Sequence, residues 1–206
     1  MMADLTFTCV EVTPLRHAAA PTLRFVLRVE EHSGERLHVL ALRCQIRIEP
    51  GARRYDDAEA QALTGLFGAG PPHPIQFAMV STMVPGFTGS ADVELAVPCS
   101  YDLEVASGNY FQSLRGGVIP LRLMFSGTVF GVGPHGLRVE QVPWRLETTC
   151  RLPVATWREL IDAYFPGSGW LRLDRSTVDA LTRYRRDHAI ATADAAIVSL
   201  LAGEDR

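Results

Sequence analysis

The sequence contains no lysine: all 20 of its basic residues are arginine. That absence excludes a Schiff-base lysine, a phosphate-loop lysine and a catalytic amine. An arginine bias of this kind is compatible with a GC-rich genome, and each arginine is first a solvated surface residue. Basic charge is not in surplus either. The net charge is −3 and the pI is near 6.1, so there is no electrostatic footprint for nucleic acid. No run approaches the roughly 18 consecutive apolar residues of a membrane span. Met1–Leu5 shows neither a basic nor an apolar leader segment, so the expected location is the cytoplasm, with thiols kept reduced. Repeats, low-complexity tracts and flexible linkers are also absent.

The usual seats of chemistry are missing too. The four cysteines, Cys9, Cys44, Cys99 and Cys150, include no C-x2-C pair. His17, His32, His38, His73, His135 and His188 are scattered and match no metal-ligand spacing. There is no G-x-S-x-G nucleophile elbow. Gly131–Gly136 matches G-x-G-x-x-G formally, but Pro134 removes a backbone donor and Leu137–Val142 alternates like a strand. A hairpin loop is the expected structure there. Asp56-Asp57, Glu30-Glu31 and the Asp102/Glu104 pair read as caps and solvated charge. No metal, no cofactor and no catalytic residue is assigned.

What is present is hydrophobic patterning. Of the 206 residues, 47% are hydrophobic and 21% charged. A chain of this mass buries about 70% of its extended surface, enough for stability without metal or disulfides. Over the first three quarters the apolar residues recur with period two. Leu23, Phe25, Leu27 and Val29 form one row, Leu40, Leu42, Cys44, Ile46 and Ile48 a second, and Val93, Leu95 and Val97 a third. Ile119, Leu121, Leu123 and Phe125 follow, then Trp144, Leu146, Cys150 and Leu152. Leu5–Val12 and Ile75–Val84 are apolar on both faces and read as central strands. About eight strands separated by Gly, Pro and polar turns indicate an antiparallel β-sandwich. All four cysteines fall on apolar rows and are expected to be slow to react.

Helical signals interrupt the strands twice and then take over. Asp56 and Glu59 form a capping box, Ala62, Leu63, Leu66 and Phe67 a helical stripe, and Gly68 a stop. Val105–Leu114 carries Tyr110, Phe111 and Leu114 on one side. Thr156 and Glu159 form a second capping box, ahead of Trp157, Leu160, Ile161 and Tyr164 at i, i+3, i+4 and i+7. Asp174 or Ser176 can cap another helix and Thr192 a last one. The expected fold is therefore α+β, mainly β. A sandwich spans 1–153 with an inserted short helix, and a helical segment over 154–206 packs on it as a single structural unit.

One local feature stands out as a binding candidate. Pro85-Gly86-Phe87-Thr88 reads as a tight turn, with Gly86 suited to positive φ. Phe87 at its tip either folds back into the core or presents an aromatic anchor to a partner. The Arg183, Arg185, Arg186 and His188 run is a dipole-compatible surface, or the counterpart of an acidic partner.

Four stretches, Arg43–Pro50, Val80–Ser90, Val139–Trp144 and Tyr164–Trp170, together resemble an uncharacterised conserved family of bacterial proteins of about this length from GC-rich genomes. Its genes neighbour those for nickel–iron uptake hydrogenases and their maturation factors. The resemblance implies a non-catalytic accessory, assembly or binding protein whose partner is a hydrogenase subunit or a maturation factor. It supplies no catalytic residues. Two other readings stay open: a small-ligand or carbohydrate-type binding sandwich using the loops at one end, and an enzyme built around Asp102, Glu104 and nearby histidines.

Overall fold

A computed structural model describes residues 4–68, 72–99, 107, 110–133, 136–168 and 173–204. Among these residues eight strands are found: β1 (Leu5–Pro14), β2 (Thr22–Glu31), β3 (Leu37–Ile48), β4 (Ile75–Phe87), β5 (Ser90–Pro98), β6 (Val118–Gly133), β7 (Gly136–Gln141) and β8 (Glu147–Pro153). The helices are α1 (Asp57–Phe67), α2 (Val154–Tyr164), α3 (Arg175–Asp187) and α4 (Ala193–Glu204), with a further helical turn at 110–113. The chain divides into two compact units, 1–167 and 168–206, so α2 belongs to the first.

The first unit is an antiparallel sandwich. One sheet has the order β1-β2-β5 and the other β4-β3-β6-β7, with β8 also paired to β6. Three connections, β2 to β3, β4 to β5 and β5 to β6, change sheets, and β2 lies beside β5 while β3 lies beside β6. The period-two rows become the core. Leu23, Phe25, Leu27 and Val29 from β2 meet Leu40, Leu42, Cys44, Ile46 and Ile48 from β3, all fully buried or nearly so. Phe7 of β1 stacks on Phe125 of β6 with ring centroids 4.0 Å apart, joining the two sheets.

Strand β6 is long enough to serve two partners along one side. Its first half pairs with β8 and its second half with β7. Between them the chain over 142–146 bridges the gap, with Val142 N–H donating to Gly127 O and Phe125 N–H to Leu146 O. Gly127 sits at this junction with φ +146, and a Cβ there would lie 2.0 Å from the carbonyl oxygen of Ala41. Only glycine combines that backbone angle with that approach.

One end of the sandwich is closed by α1, the 110–113 turn and α2. Asp56 caps α1 by accepting from Glu59 N–H at 2.8 Å, and Gly68 ends the helix with φ +65, as the capping signals predict. The Glu59 side chain turns inward instead of back to the cap. Its Oε1 accepts from Arg53 Nη2 at 2.6 Å and from Arg115 N–H at 2.7 Å, while Arg53 also donates to the carbonyls of Gly116 and Val118. Burial pushes the Glu59 carboxyl up, but those two donors outweigh it and hold it below the usual range. Phe111 packs between Phe77, at 5.6 Å, and Trp157, at 4.3 Å.

Four expectations are corrected. Leu5–Val12 and Ile75–Val84 are not central: β1 and β4 lie at the edges of their sheets. Trp144 leaves the apolar row for a turn and is 90% exposed, because the bridging segment turns it away from the core. Helix α2 starts at Val154 directly after Pro153, ahead of the Thr156/Glu159 box, and no side chain caps it. Gly86 does not have positive φ; the turn residue that does is Gly89, at +74. The Gly131–Gly136 stretch is a hairpin between β6 and β7, as expected, although residues 134 and 135 lie outside the described set. So do parts of the Val105–Leu114 expectation, but Tyr110, Phe111 and Leu114 are buried.

In the second unit α3 and α4 associate. Tyr184 on α3 approaches Ser199 on α4 with 3.3 Å between hydroxyls, and Thr192 caps α4 by accepting from Ala195 N–H at 3.1 Å. Asp174 precedes α3 without a side-chain cap bond.

The Gly127 junction generates a stability prediction. Gly127→Ala should lower stability by more than about 3 kcal/mol, because a clash adds to an unfavourable backbone angle. Gly131→Ala in the same strand is the control: its nearest neighbour is the flexible end of Arg138 at 3.6 Å, at an ordinary φ. Thermal denaturation of both variants checks this, and equal melting temperatures would contradict it.

Candidate functional site

A sandwich of two open sheets leaves edges whose backbone N–H and C=O groups invite further strands. Three of the edges here carry protective devices. On β1 a bulge at Val10 shifts the register between Cys9 and Glu11. On β5 the outward face holds Asp92 and Glu94, paired with Arg28 at 2.8 Å and Arg24 at 3.1 Å. The edge beyond β6 is split between two short strands, β7 and β8, of 6 and 7 residues.

The edge formed by β4 is different. It runs for 13 residues, IQFAMVSTMVPGF, with no charged side chain. No described strand pairs with its second side. A register shift opposite Ile46/Arg47 places a bulge at Phe77, and Pro85 lacks an N–H, so these two residues bound a regular open stretch from Ala78 to Val84. Met79 and Met83 within it are 59% and 62% exposed on the outer face. Methionine is flexible and polarizable, a residue type used at adaptable binding surfaces. Inward from Met83 the outer face dips into a shallow depression of about 610 Å³, lined by Arg43, Ser81, Ser126, Thr128 and Gln141. Its floor includes Gly127, the residue that has no side chain to fill it.

Of the residues expected to bind a partner, Pro85, Gly86 and Phe87 end this same strand and Thr88 follows it in the bend before β5. Pro85, Gly86 and Thr88 are exposed; Phe87 is half-buried and packs against the core. Gly86 is required for close approach: a Cβ there would lie 2.7 Å from His38 O and 2.8 Å from Leu37 O. Pro85 and Phe87 help to line a groove of about 340 Å³ between β4 and β5, with Met83, Asp92 and Glu94. The structure thus joins the four predicted residues to Met79 and Met83, which sequence reasoning missed. The available signal was a charge-free run of 13 residues.

Asp56, Asp57 and Glu31 have structural duties. Asp56 and Asp57 cap and open α1. Glu31 is buried and accepts from Ser33 N–H at 3.0 Å. Asp102, Glu104 and His135 lie outside the described residues. Among the described residues no group of three or more His, Cys, Asp or Glu side chains is arranged to hold a metal ion.

Three cysteines converge between the sheets. The neighbouring Cys150 side chain lowers the Cys9 thiol below its ordinary value against the opposing effect of burial, and Cys9 with burial raises Cys150. Burial, and then the neighbouring Cys9, push Cys44 up to about 12. Cys9 is also the one cysteine of the four that is only half-buried. Uniform sluggishness is therefore not expected. Iodoacetamide at neutral pH should modify Cys9 first, about tenfold faster than Cys44 or Cys150. Peptide mapping by mass spectrometry would read the order, and labelling of Cys44 or Cys150 ahead of Cys9 would overturn the assignment.

Two solved structures are distant likenesses of this chain. A protein from Archaeoglobus fulgidus aligns with 74% of this chain and 95% of its own, at 7% identity and a TM-score of 0.30. β-Glucosidase 3B from Thermotoga neapolitana, in complex with α-D-glucose, aligns over 72% of this chain and 17% of its own, at 13% identity and a TM-score of 0.27. No curated protein matches the chain. A family model does, over residues 2–206, and the chain belongs to the family of unknown function DUF6084.

Proposed function

We propose that this protein is a non-catalytic accessory or assembly factor that captures an extended segment of a partner protein along β4. The observation that supports this reading most is an open, charge-free edge that exposes Met79 and Met83. A segment added there would exchange main-chain hydrogen bonds with β4, which supply affinity independent of sequence. Alternate side chains of the segment would meet Met79 and Met83, and those contacts would supply selectivity. The bulge at Phe77 and the missing N–H of Pro85 limit the addition to about seven residues, Ala78–Val84. The half-buried Phe87 would fix the corner and not act as the main anchor.

On the gene-neighbourhood resemblance, the client is a subunit of a nickel–iron hydrogenase or one of its maturation factors, and the complex forms in the cytoplasm. No nucleic acid enters this reading, since the net charge is −3.

Charged residues on an edge strand discourage strand addition. The double substitution Met79→Lys/Met83→Lys should therefore leave the melting temperature within a few degrees of the parent, both side chains being exposed. It should reduce recovery of the partner from native lysate at least tenfold, read by quantitative mass spectrometry, with hydrogenase components as the lost proteins. Equal recovery by parent and variant would remove β4 as the capture edge.

A further inference from the structure

The end of the five-stranded sheet opposite the Pro85–Thr88 corner is basic on its outer face. Arg47 of β3 and Arg122 of β6 are direct cross-strand partners. Like charges in that arrangement destabilise a sheet, so a compensating anion is called for. Glu49 and Glu147 supply part of it, at 3.1 and 3.2 Å, and both are directed at Arg122. Arg151 on β8 and Arg54 beyond the Pro50–Ala52 turn extend the patch, and both are exposed. Among the described residues no carboxylate lies within ion-pair distance of Arg47, Arg54 or Arg151. Four guanidinium groups therefore face two carboxylates, in a chain whose net charge is −3. Arg53 is not part of this surplus, because Glu59 neutralises it.

The patch is also concave. A cleft of about 490 Å³ opens between the 49–54 segment and the β6–β8 ladder, within the range of ligand-binding pockets. Arg54, Arg122 and Arg151 line it together with the apolar Ala52, Val118 and Pro120. Guanidinium forks bind carboxylates in bidentate geometry. Arg47 and Arg122 face each other across one strand spacing, Arg151 stands diagonally from Arg122 opposite Pro120, at roughly 7–8 Å, and Arg54 lies off the sheet beyond the Pro50–Ala52 turn, so the charges are spread over three strands and a turn. That spacing fits several separate carboxylates on an extended chain better than a single compact dianion.

We propose that this cleft binds a carboxylate-rich peptide segment of a protein partner. The site lies on β6 and β8, away from β4, and does not depend on strand capture there.

The probe is a fluorescein-labelled hexaglutamate peptide, with labelled hexaserine as its uncharged counterpart, followed by fluorescence anisotropy. Saturable binding of hexaglutamate alone is expected, weakening as sodium chloride is raised. Arg54→Glu/Arg151→Glu should weaken it at least tenfold with little change in melting temperature; Arg54→Gln/Arg151→Gln serves if the first variant does not fold. Met79→Lys/Met83→Lys should bind the peptide as the parent does, so failure of the β4 reading and failure of this one are separable. Absence of saturable binding, or undiminished binding by the arginine variants, overturns the proposal. So does displacement by inorganic phosphate beyond that caused by sodium chloride of equal ionic strength, which would make the occupant a phosphate compound.

Discussion

A backbone that ends a sheet must hydrogen-bond to something, and the account of this protein depends on how its edges meet that demand. The sandwich fold creates the demand by leaving both sheets open. A bulge answers it on β1, ion pairs to β2 on β5, and division into two short strands beyond β6. On β4 the answer is limited to the ends, where Phe77 bulges and Pro85 withholds a donor. Between them the edge keeps the composition of an interior strand. A strand of interior composition at a sheet edge leaves main-chain donors and acceptors that a partner strand is proposed to satisfy.

The geometry that holds β4 in this state is set further inside. Strand β3 lies between β4 and β6, and its carbonyl at Ala41 is approached by Gly127 closely enough that no side chain can intervene. The same glycine opens the depression beside Met83. Gly86 plays the matching part at the corner, letting β4 lie against the start of β3 where the chain turns toward β5. Two glycines thus bring the outer surface close to the backbone, and the methionines stand beside it.

Much of this fold was legible in the sequence. The rows on β2, β3 and β5 alternate strictly, because one face is buried and the other solvated, and each was read with its correct parity. Asp56, Gly68 and Thr192 mark helix ends by their own chemistry. The misreadings have separate causes. Ile75–Val84 lacks charge, and the pattern rule assigns such a run to the middle of a sheet, where it would be buried on both faces. Only the strand order shows that it lies outside. Trp144 was misread because alternation was continued across a segment that leaves the strand. Of the candidate site, Pro85, Gly86, Phe87 and Thr88 stand out in the sequence for an aromatic ring at a turn, whereas Met79 and Met83 sit in a run that reads as sheet interior. The basic patch left no sequence signal, since Arg47, Arg122 and Arg151 come together only through the β3–β6 and β6–β8 registers.

The central claim is that residues 78–84 of β4 are an open edge that closes on a partner. Amide hydrogen exchange read by mass spectrometry, on the protein alone and in its recovered complex, tests it most directly. The account predicts weaker protection over 78–84 than over β3 in the free protein, and a rise of about tenfold or more across that stretch on capture, with β5 unchanged. Protection of β4 that is already as high as that of β3 in the free protein, or that does not change in the complex, would contradict it.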